Sequence, residues 1–152
     1  MPVFNPLTKK VLIKRGVKKR HLNLLDSKKP FSRAKGIVVL RKNSDAGVKR
    51  ASAIAARRML LDKNKLVRLN AIKTLLLLGR EEGIIALKKE INQTKDFTTL
   101  INLINKSFYS ADKNMASELS ELIVSDLYPA MYKKKFKLSD KQYNALILMR
   151  LF

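Results

Sequence analysis

Cysteine and tryptophan are absent from this 152-residue sequence, and histidine occurs once, at His21. Without cysteine the chain can form no disulfide bond and no thiolate metal site. A single histidine also excludes metal sites and catalytic arrangements that need a pair of imidazoles. We therefore expect neither a bound metal nor a cofactor, and the lack of cysteine fits a reducing compartment.

Acidic residues are also scarce, with 12 Asp and Glu against 33 Lys and Arg. Two carboxylate pairs are present, Glu81 with Glu82 and Glu118 with Glu121. Both pairs lie on predicted helices, where complementing the helix dipole or facing solvent explains them better than catalysis does. No glycine-rich phosphate loop is present, and His21 lies in a basic stretch that suits a phosphate contact. We therefore predict that the protein is not an enzyme.

Long apolar stretches are missing as well. No run approaches the roughly 18 residues that a membrane-spanning helix needs. Lys9, Lys10, Lys14 and Arg15 interrupt any hydrophobic segment of a secretory signal near the N-terminus. We therefore expect no membrane partner and an intracellular location, cytoplasmic or organellar, with a place inside a virion as the alternative.

Positive charge is what the sequence has in excess, and its distribution is uneven. The net charge is +21, of which residues 1–43 carry +12, residues 44–90 carry +6 and residues 91–152 carry +3. Such a charge density repels itself unless a polyanion is nearby. Nucleic-acid phosphates bind Lys and Arg by releasing condensed counterions. The charge therefore predicts a nucleic acid as the partner.

The first 43 residues differ from the rest in pattern. Three prolines and two glycines interrupt them, and basic clusters alternate with short apolar groups. This alternation predicts an extended basic N-terminal arm over residues 1–43, which docks apolar anchors while its cations contact phosphates. Within it, residues 37–40 are predicted to form a short strand or an extended segment packed on a helical domain of residues 44–152.

From residue 44 onward the apolar residues recur with the period of an α-helix. Six helices are predicted over residues 45–61, 65–78, 81–92, 96–110, 113–128 and 140–151. Thr94 or Asp96 and then Asp112 are predicted caps, and Ser139 with Gln142 has the spacing of a capping box. The side chains predicted to face the core are Val48, Ala51, Ile54, Ala55, Met59, Leu66, Leu69, Ile72, Leu75, Leu76, Ile84, Leu87, Ile91, Phe97, Leu100, Ile101, Ile104, Phe108, Met115, Leu119, Leu122, Ile123, Tyr143, Leu146, Ile147 and Leu151.

Two of these helices share a short motif, R-x-x-A-I, which begins at Arg50 and again at Arg68. Residues 66–92 as a whole resemble one HEAT-type repeat. The residues that carry the resemblance are Val67, Arg68, Ala71, the leucines that lead to Gly79, and, after an acidic turn, Ile84, Ile85 and Leu87. The resemblance implies stacked antiparallel helix pairs with a curved surface for a large partner, and some HEAT-like proteins hold nucleic-acid backbones in this way. The expected fold is therefore all-α, a small antiparallel helical bundle or a short HEAT-like stack with an extended basic arm.

The basic clusters are the predicted binding site. The sequence has no zinc-finger, homeodomain, RNP or KH pattern, so its cations are expected to contact the backbone rather than base edges. Tyr128, Tyr132 and Phe136 flank the last cluster, where they either stack on bases or pack against the final helix. The predicted phosphate contacts are Lys9, Lys10, Lys14, Arg15, Lys18, Lys19, Arg20, Lys28, Lys29, Arg33, Lys35, Arg41, Lys42, Arg57, Arg58, Lys133, Lys134 and Lys135.

These features together predict a non-catalytic structural protein that binds the phosphate backbone of RNA or DNA in a nucleoprotein assembly with protein neighbours. A ribosome-associated protein is the favoured form. The alternative is a virion, capsid or other scaffold protein whose basic arm contacts a packaged genome or an acidic protein. A third class, a nucleic-acid enzyme or an accessory subunit of one, would require an essential acidic residue.

Overall fold

The computed structural model describes residues 2–150, and this part of the chain is helical without strands, which confirms the all-α prediction. A π-helical turn, Ile123–Leu127, joins the eighth helix to the ninth. Among these residues no helix is both long and apolar enough to cross a membrane. The helices are α1 (Pro6–Lys14), α2 (Lys19–Leu24), α3 (Pro30–Arg41), α4 (Ala46–Met59), α5 (Lys65–Leu77), α6 (Glu81–Gln93), α7 (Phe97–Ser110), α8 (Lys113–Leu122), α9 (Tyr128–Lys135) and α10 (Asp140–Arg150).

Four of the six predicted helices, α4 to α7, have bounds within two residues of the prediction, and α10 begins where it was predicted. The predicted caps are confirmed as well. Asp96 and Asp112 accept hydrogen bonds from the backbone N–H groups of Thr98 and Met115, at 3.0 and 2.8 Å. The capping box at the start of α10 is also formed, because the residues at 139 and 142 exchange reciprocal hydrogen bonds.

The fifth predicted helix, over residues 113–128, departs from the prediction at its end. α8 stops at Leu122, and after the π-helical turn the chain continues as α9, with Pro129 near its start. Proline has no backbone N–H and its ring clashes with the carbonyl four residues earlier in an α-helix. The wider π-helical turn removes that conflict, so Pro129 does not end the helical rod.

Residues 1–43 are not extended, which corrects the predicted arm. They contain α1, α2 and α3, and their apolar side chains lie in one core cluster with those of α4 and α5. The predicted strand at residues 37–40 lies within α3. Pro30 occupies the first turn of α3, where a missing N–H costs no hydrogen bond. Gly36 lets α3 pass close to α2, since a Cβ there would lie 2.8 Å from the Leu25 side chain.

Helices α3, α5 and α7 lie side by side and end at the same side of the molecule. Arg33 near the start of α3 contacts Asp62, just before α5 begins. Arg41 at the end of α3 contacts Thr74 in the last turns of α5. These two contacts make α3 and α5 parallel, and the last turn of α7 lines the same groove as the ends of both, with Lys106 on its wall.

Helices α5 and α6, which carry the HEAT resemblance, pack antiparallel. Arg68 near the start of α5 pairs with Glu90 near the end of α6. At the opposite end, the position of a Cβ on Gly83 would lie 3.1 Å from Leu75 of α5. Gly79 separates the two helices in a left-handed conformation at φ +69°, which a glycine adopts without strain.

A structural repeat relates Arg68 to Arg33, 35 residues earlier. Each is the fourth residue of its helix, and each donates through Nη1 to the backbone carbonyls five and six residues before it. Each also pairs through Nε with a carboxylate, Asp62 for Arg33 and Glu90 for Arg68. Arg50, which shares the R-x-x-A-I motif, is exposed instead. The repeated unit in these contacts is therefore a helix pair, α3–α4 and then α5–α6.

The core consists of two clusters, one built mainly by α1 to α5 and one by α5 to the π-helical turn. Most side chains predicted to face the core are buried, and Leu151 lies outside the described residues. In α4, Ala53 and Ala56 are buried while Ile54 is 44% exposed, because an alanine-rich face lets α4 approach its neighbours closely. The other predicted core residues that stay 39 to 45% exposed are Leu66, Phe108, Leu146 and Ile147.

Candidate nucleic-acid interface

Several of the predicted phosphate contacts are already engaged within the fold. Arg33 is the strongest case, because its guanidinium forms two hydrogen bonds with Asp62, at 2.9 and 3.0 Å. Arg58 donates to the backbone carbonyls of Pro2 and Val3. The other predicted contacts in ion pairs are Lys9 with Asp26, Arg15 with Asp45, Arg57 with Glu82, and Lys133 with Asp140.

A second set of the predicted cations is exposed and forms no ion pair with any residue from 2 to 150. These side chains can meet a polyanion without first losing a partner in the protein. Lys134 and Lys135 are also exposed, and they lie over the rings of Phe97 and Phe136, at 5.3 and 5.5 Å. The exposed set is Lys10, Lys14, Lys18, Lys19, Arg20, Lys28, Lys29, Lys35 and Lys42.

Three cations of the exposed set form a cluster around His21, which we name the α2–α3 cluster: Lys18 and Arg20 at the start of α2, and Lys35 of α3. Burial, together with the positive charges of Arg20, Lys18 and Lys35, lowers the pKa of His21. These three cations are therefore close enough to act on one imidazole. Lys42, the residue that caps the end of α3, follows Lys35 by seven residues, which is two helical turns or about 10 Å along the same face. The α2–α3 cluster thus leads along α3 toward the helix end.

At that end lies a groove of about 600 Å³. Its walls come from the last turns of α3, α5 and α7 and from the first turn of α4. Five of its nine lining side chains are cations and none is a carboxylate. The lining residues are Arg41, Lys42, Lys49, Lys73, Leu77, Leu78, Lys106, Tyr109 and Ser110.

Arg41 is the most deeply placed cation of the groove, with 8% of its surface exposed. Its Nη1 donates to Thr74 Oγ1 at 3.0 Å, and that hydroxyl donates in turn to the carbonyl of Asn70. No carboxylate among residues 2–150 pairs with it, and burial lowers its pKa. Lys49 Nζ donates to the backbone carbonyl of Arg41 at 3.1 Å, which places a second cation beside it. The fold therefore holds Arg41 in a fixed position without neutralising it.

Lys73 shows the same excess of positive charge. Burial is the largest cause that lowers the pKa of Lys73, and the positive charges of Arg41, Lys106 and Lys42 lower it further. The C-terminal ends of α3, α5 and α7 offset part of this repulsion, because each helix end carries roughly half a negative charge. Three such ends supply about −1.5 and the N-terminal end of α4 about +0.5 against the five cations, so a large positive excess remains in the groove.

Aromatic side chains lie both at the groove and elsewhere. Tyr109 stands at the groove rim with 91% of its surface exposed. Of the aromatic residues that the sequence singled out, Tyr132 packs against Phe136 and Tyr143, with ring centroids 4.6 and 6.0 Å apart. This contact with α10 fits the packing alternative for Tyr132, while Tyr128 remains 60% exposed.

Sequence reasoning identified Arg41 and Lys42 but missed the other side chains of the groove. Lys73 and Lys106 lie near the ends of α5 and α7 as isolated basic residues, and Lys49 lies beside Arg50 in the first turn of α4. Their common signal is a lysine on an exposed face close to a helix end. That signal becomes informative only once α3 is known to be a helix beside α5. The missed groove residues with functional chemistry are Lys49, Lys73, Lys106 and Tyr109.

No protein-family profile, no curated protein and no solved structure matches the chain. The resemblance of residues 66–92 to a HEAT repeat therefore stays a prediction. Within residues 2–150 no group of three His, Asp or Glu side chains is placed to hold a metal ion.

Proposed function

We propose that this protein binds the phosphate backbone of RNA or DNA through the groove, as a non-catalytic structural component of a nucleoprotein assembly. The observation that carries the proposal is the groove lining, in which five cations meet no carboxylate. Charge-assisted hydrogen bonds from Lys and Arg to phosphate oxygens would satisfy these cations. Arg41 contributes a guanidinium whose position is fixed by Thr74 before the ligand arrives.

A polyanion explains the wider surface better than a single anion does. The α2–α3 cluster and the groove are linked by Lys35 of α3 and Lys42 at its C-terminal cap, which lie about 10 Å apart along one face. A nucleic-acid strand that enters the groove can therefore continue along α3 and contact further exposed cations. The net charge of +21 fits such a partner, since each neutralised phosphate releases a counterion.

Backbone contacts position a protein without reading a sequence. We therefore favour a structural role, with a ribosome-type assembly before a site-specific regulator. An acidic protein, as in the scaffold alternative, would meet the same cations and is an outcome that the experiment below distinguishes.

The test measures binding to single-stranded RNA, duplex RNA, duplex DNA and polyglutamate across a salt series. The variant Lys73→Glu/Lys106→Glu reverses two charges of the groove, and Lys113→Glu/Lys141→Glu is the control, with the same net charge and exposed lysines outside the groove lining. We expect the groove variant to lose at least about tenfold in nucleic-acid affinity and to lower the salt slope by about one per lost phosphate contact.

The control variant should lose only the smaller affinity that follows from its lower net charge. Equal losses in both variants would contradict the groove as the binding site. Tighter binding to polyglutamate than to either nucleic acid would favour the acidic protein partner instead.

A further inference from the structure

Tyr109 is more exposed than any other large hydrophobic or aromatic side chain among residues 2–150. It lies in the last turn of α7, three residues after Lys106, so both side chains lie on the same face of the helix. A phenol ring of this size is normally packed in a core or an interface. No packing within the described part of the chain explains the place of Tyr109 at the rim of a cationic groove.

An aromatic ring beside cations is the arrangement with which proteins hold unpaired nucleotides. The ring stacks on a base, whichever base it is, and neighbouring cations contact the phosphate. Within a duplex both faces of each base are covered by adjacent bases. A tyrosine at the surface can therefore stack only on an unpaired or terminal nucleotide. The groove volume of about 600 Å³ lies within the range of about 300 to 1,000 Å³ that is typical of ligand sites.

We infer that the groove takes an unpaired nucleotide of a single-stranded segment, with the base on Tyr109 and the adjacent phosphate among Arg41, Lys73 and Lys106. This inference rests on the proposed function. It specifies that the nucleic acid held in the groove is single-stranded, whereas the proposed function allows any RNA or DNA backbone. The contact is independent of base identity, because every base presents a stacking face. It would fix a loop or strand end of the nucleic acid, while the α2–α3 cluster follows the backbone.

The experiment compares a ten-nucleotide single strand of RNA, the same sequence in DNA, and the corresponding duplexes, each measured by fluorescence anisotropy. Tyr109→Ala should weaken binding to single strands by about 5- to 150-fold, the range of one base stacking on an aromatic ring. Its duplex affinity should stay within about twofold. Tyr109→Phe should keep single-strand affinity, and Phe31→Ala is the control for an exposed aromatic side chain outside the groove lining. The RNA and DNA arms show which single strand is preferred.

A second readout reports stacking directly. The chain has four tyrosines and no tryptophan, so tyrosine emission is visible without interference. A single strand should quench that emission in the unchanged protein, and Tyr109→Phe should lose most of the quenching while it still binds. Circular dichroism of each variant establishes that the fold is intact.

The outcomes separate the two proposals. Unchanged binding by Lys73→Glu/Lys106→Glu would remove the proposed function and this inference together. If the charge variant loses affinity but Tyr109→Ala binds single strands as well as the unchanged protein does, the groove binds backbone and the stacking inference is wrong. An equal loss on single strands and duplexes by Tyr109→Ala would also contradict stacking.

Discussion

Cationic side chains have opposite surroundings at the two ends of the parallel helices α3 and α5. At their N-terminal ends, Arg33 and Arg68 each pair with a carboxylate, Asp62 and Glu90. At their C-terminal ends, Arg41 and Lys73 line a groove without any carboxylate. We name these regions the paired end and the groove. The difference shows that the positions of the few acidic residues, rather than the density of basic residues, decide whether a cation is paired within the fold or left without a carboxylate.

The energetic consequences at the two regions have opposite signs. Glu90, whose side chain is 8% exposed, would be a costly buried charge if Arg68 did not neutralise it. In the groove, by contrast, each added cation raises the repulsion that the others feel, and only the helix ends offset it. The paired end therefore stabilises the fold, while the cations of the groove repel one another, and a bound anion would relieve that repulsion.

Removing residues 1–43 tests the comparison most severely, because it deletes α3 and with it half of both regions. We expect loss of cooperative folding, since Val48, Val67 and Leu75 would lose the apolar partners that α1 to α3 supply. Far-ultraviolet circular dichroism and thermal unfolding measure the effect. The matched control removes residues 140–152, which contain α10 and its exposed apolar residues, and should change the melting temperature far less.

The sequence-based boundary at residue 43 predicts the opposite result. A helical protein with an unchanged melting temperature after removal of residues 1–43 would support that boundary. It would also show that the core cluster shared by α1 to α5 contributes little to stability.

Replacing Arg68 by methionine tests the paired end alone. Arg68→Met leaves the carboxylate of Glu90 buried without its partner and should lower the free energy of unfolding by about 2 to 4 kcal/mol, since breaking a buried pair costs up to about 5. Urea titration at neutral pH measures the change. The double variant Arg68→Met/Glu90→Met should recover most of the loss, because no charge is left unpaired. A single variant as stable as the unchanged protein would contradict the stabilising role of the pair.

Replacing Lys73 by methionine tests the groove and should have the smallest effect on stability, with the opposite sign. The free energy of unfolding should stay constant or rise by up to about 1 kcal/mol, the usual scale of a partly exposed charge interaction. Because the pKa of Lys73 is lowered in the folded protein, folding becomes more favourable as the pH rises from that pKa toward the ordinary value near 10.4. Lys73→Met should lack this alkaline gain, which urea titration between pH 8 and about 10.4 measures.

At the paired end, stability depends on pH in the acid range instead of the alkaline range. Burial alone would raise the pKa of Asp62, but hydrogen bonds from Arg33 and the backbone of Asn64 outweigh it and hold the pKa below its usual value. The stability that Asp62 contributes is therefore present above pH of about 4 and is lost as the pH falls through the lowered pKa.

Destabilisation by Lys73→Met, or the same alkaline gain in that variant, would contradict the contrast between the two regions.

The amphipathic period was enough to predict α4 to α7, because their apolar residues recur on one face. It failed for α1 to α3, where prolines at helix starts and a glycine at a helix crossing look like interruptions. Pro30 begins α3, and the need for Gly36 arises from the Leu25 side chain of another helix. The local sequence contains neither fact.

The groove was hidden from the sequence for a related reason. Arg33 and Arg41 lie in the same helix and look alike in the sequence. What distinguishes them is Asp62, a residue 29 positions after Arg33 that reaches one guanidinium and not the other. Pairing across that distance depends on how α3 and α5 pack, so only the fold separates the structural arginine from the groove arginine.

The π-helical turn Ile123–Leu127 determines which side of α9 faces the core, because it sets the rotation of α9 about the helix axis relative to α8. Such a turn holds about one residue more than an α-helical turn, so α9 is rotated by about 100° relative to an uninterrupted helix. In this phase Leu127, Ala130 and Met131 face the second core cluster. Loss of one residue from the turn would bring Tyr128 into the place of Leu127. A deletion of one codon there would therefore turn the buried face of α9 by about 100° away from the second core cluster while leaving the composition of the helix unchanged.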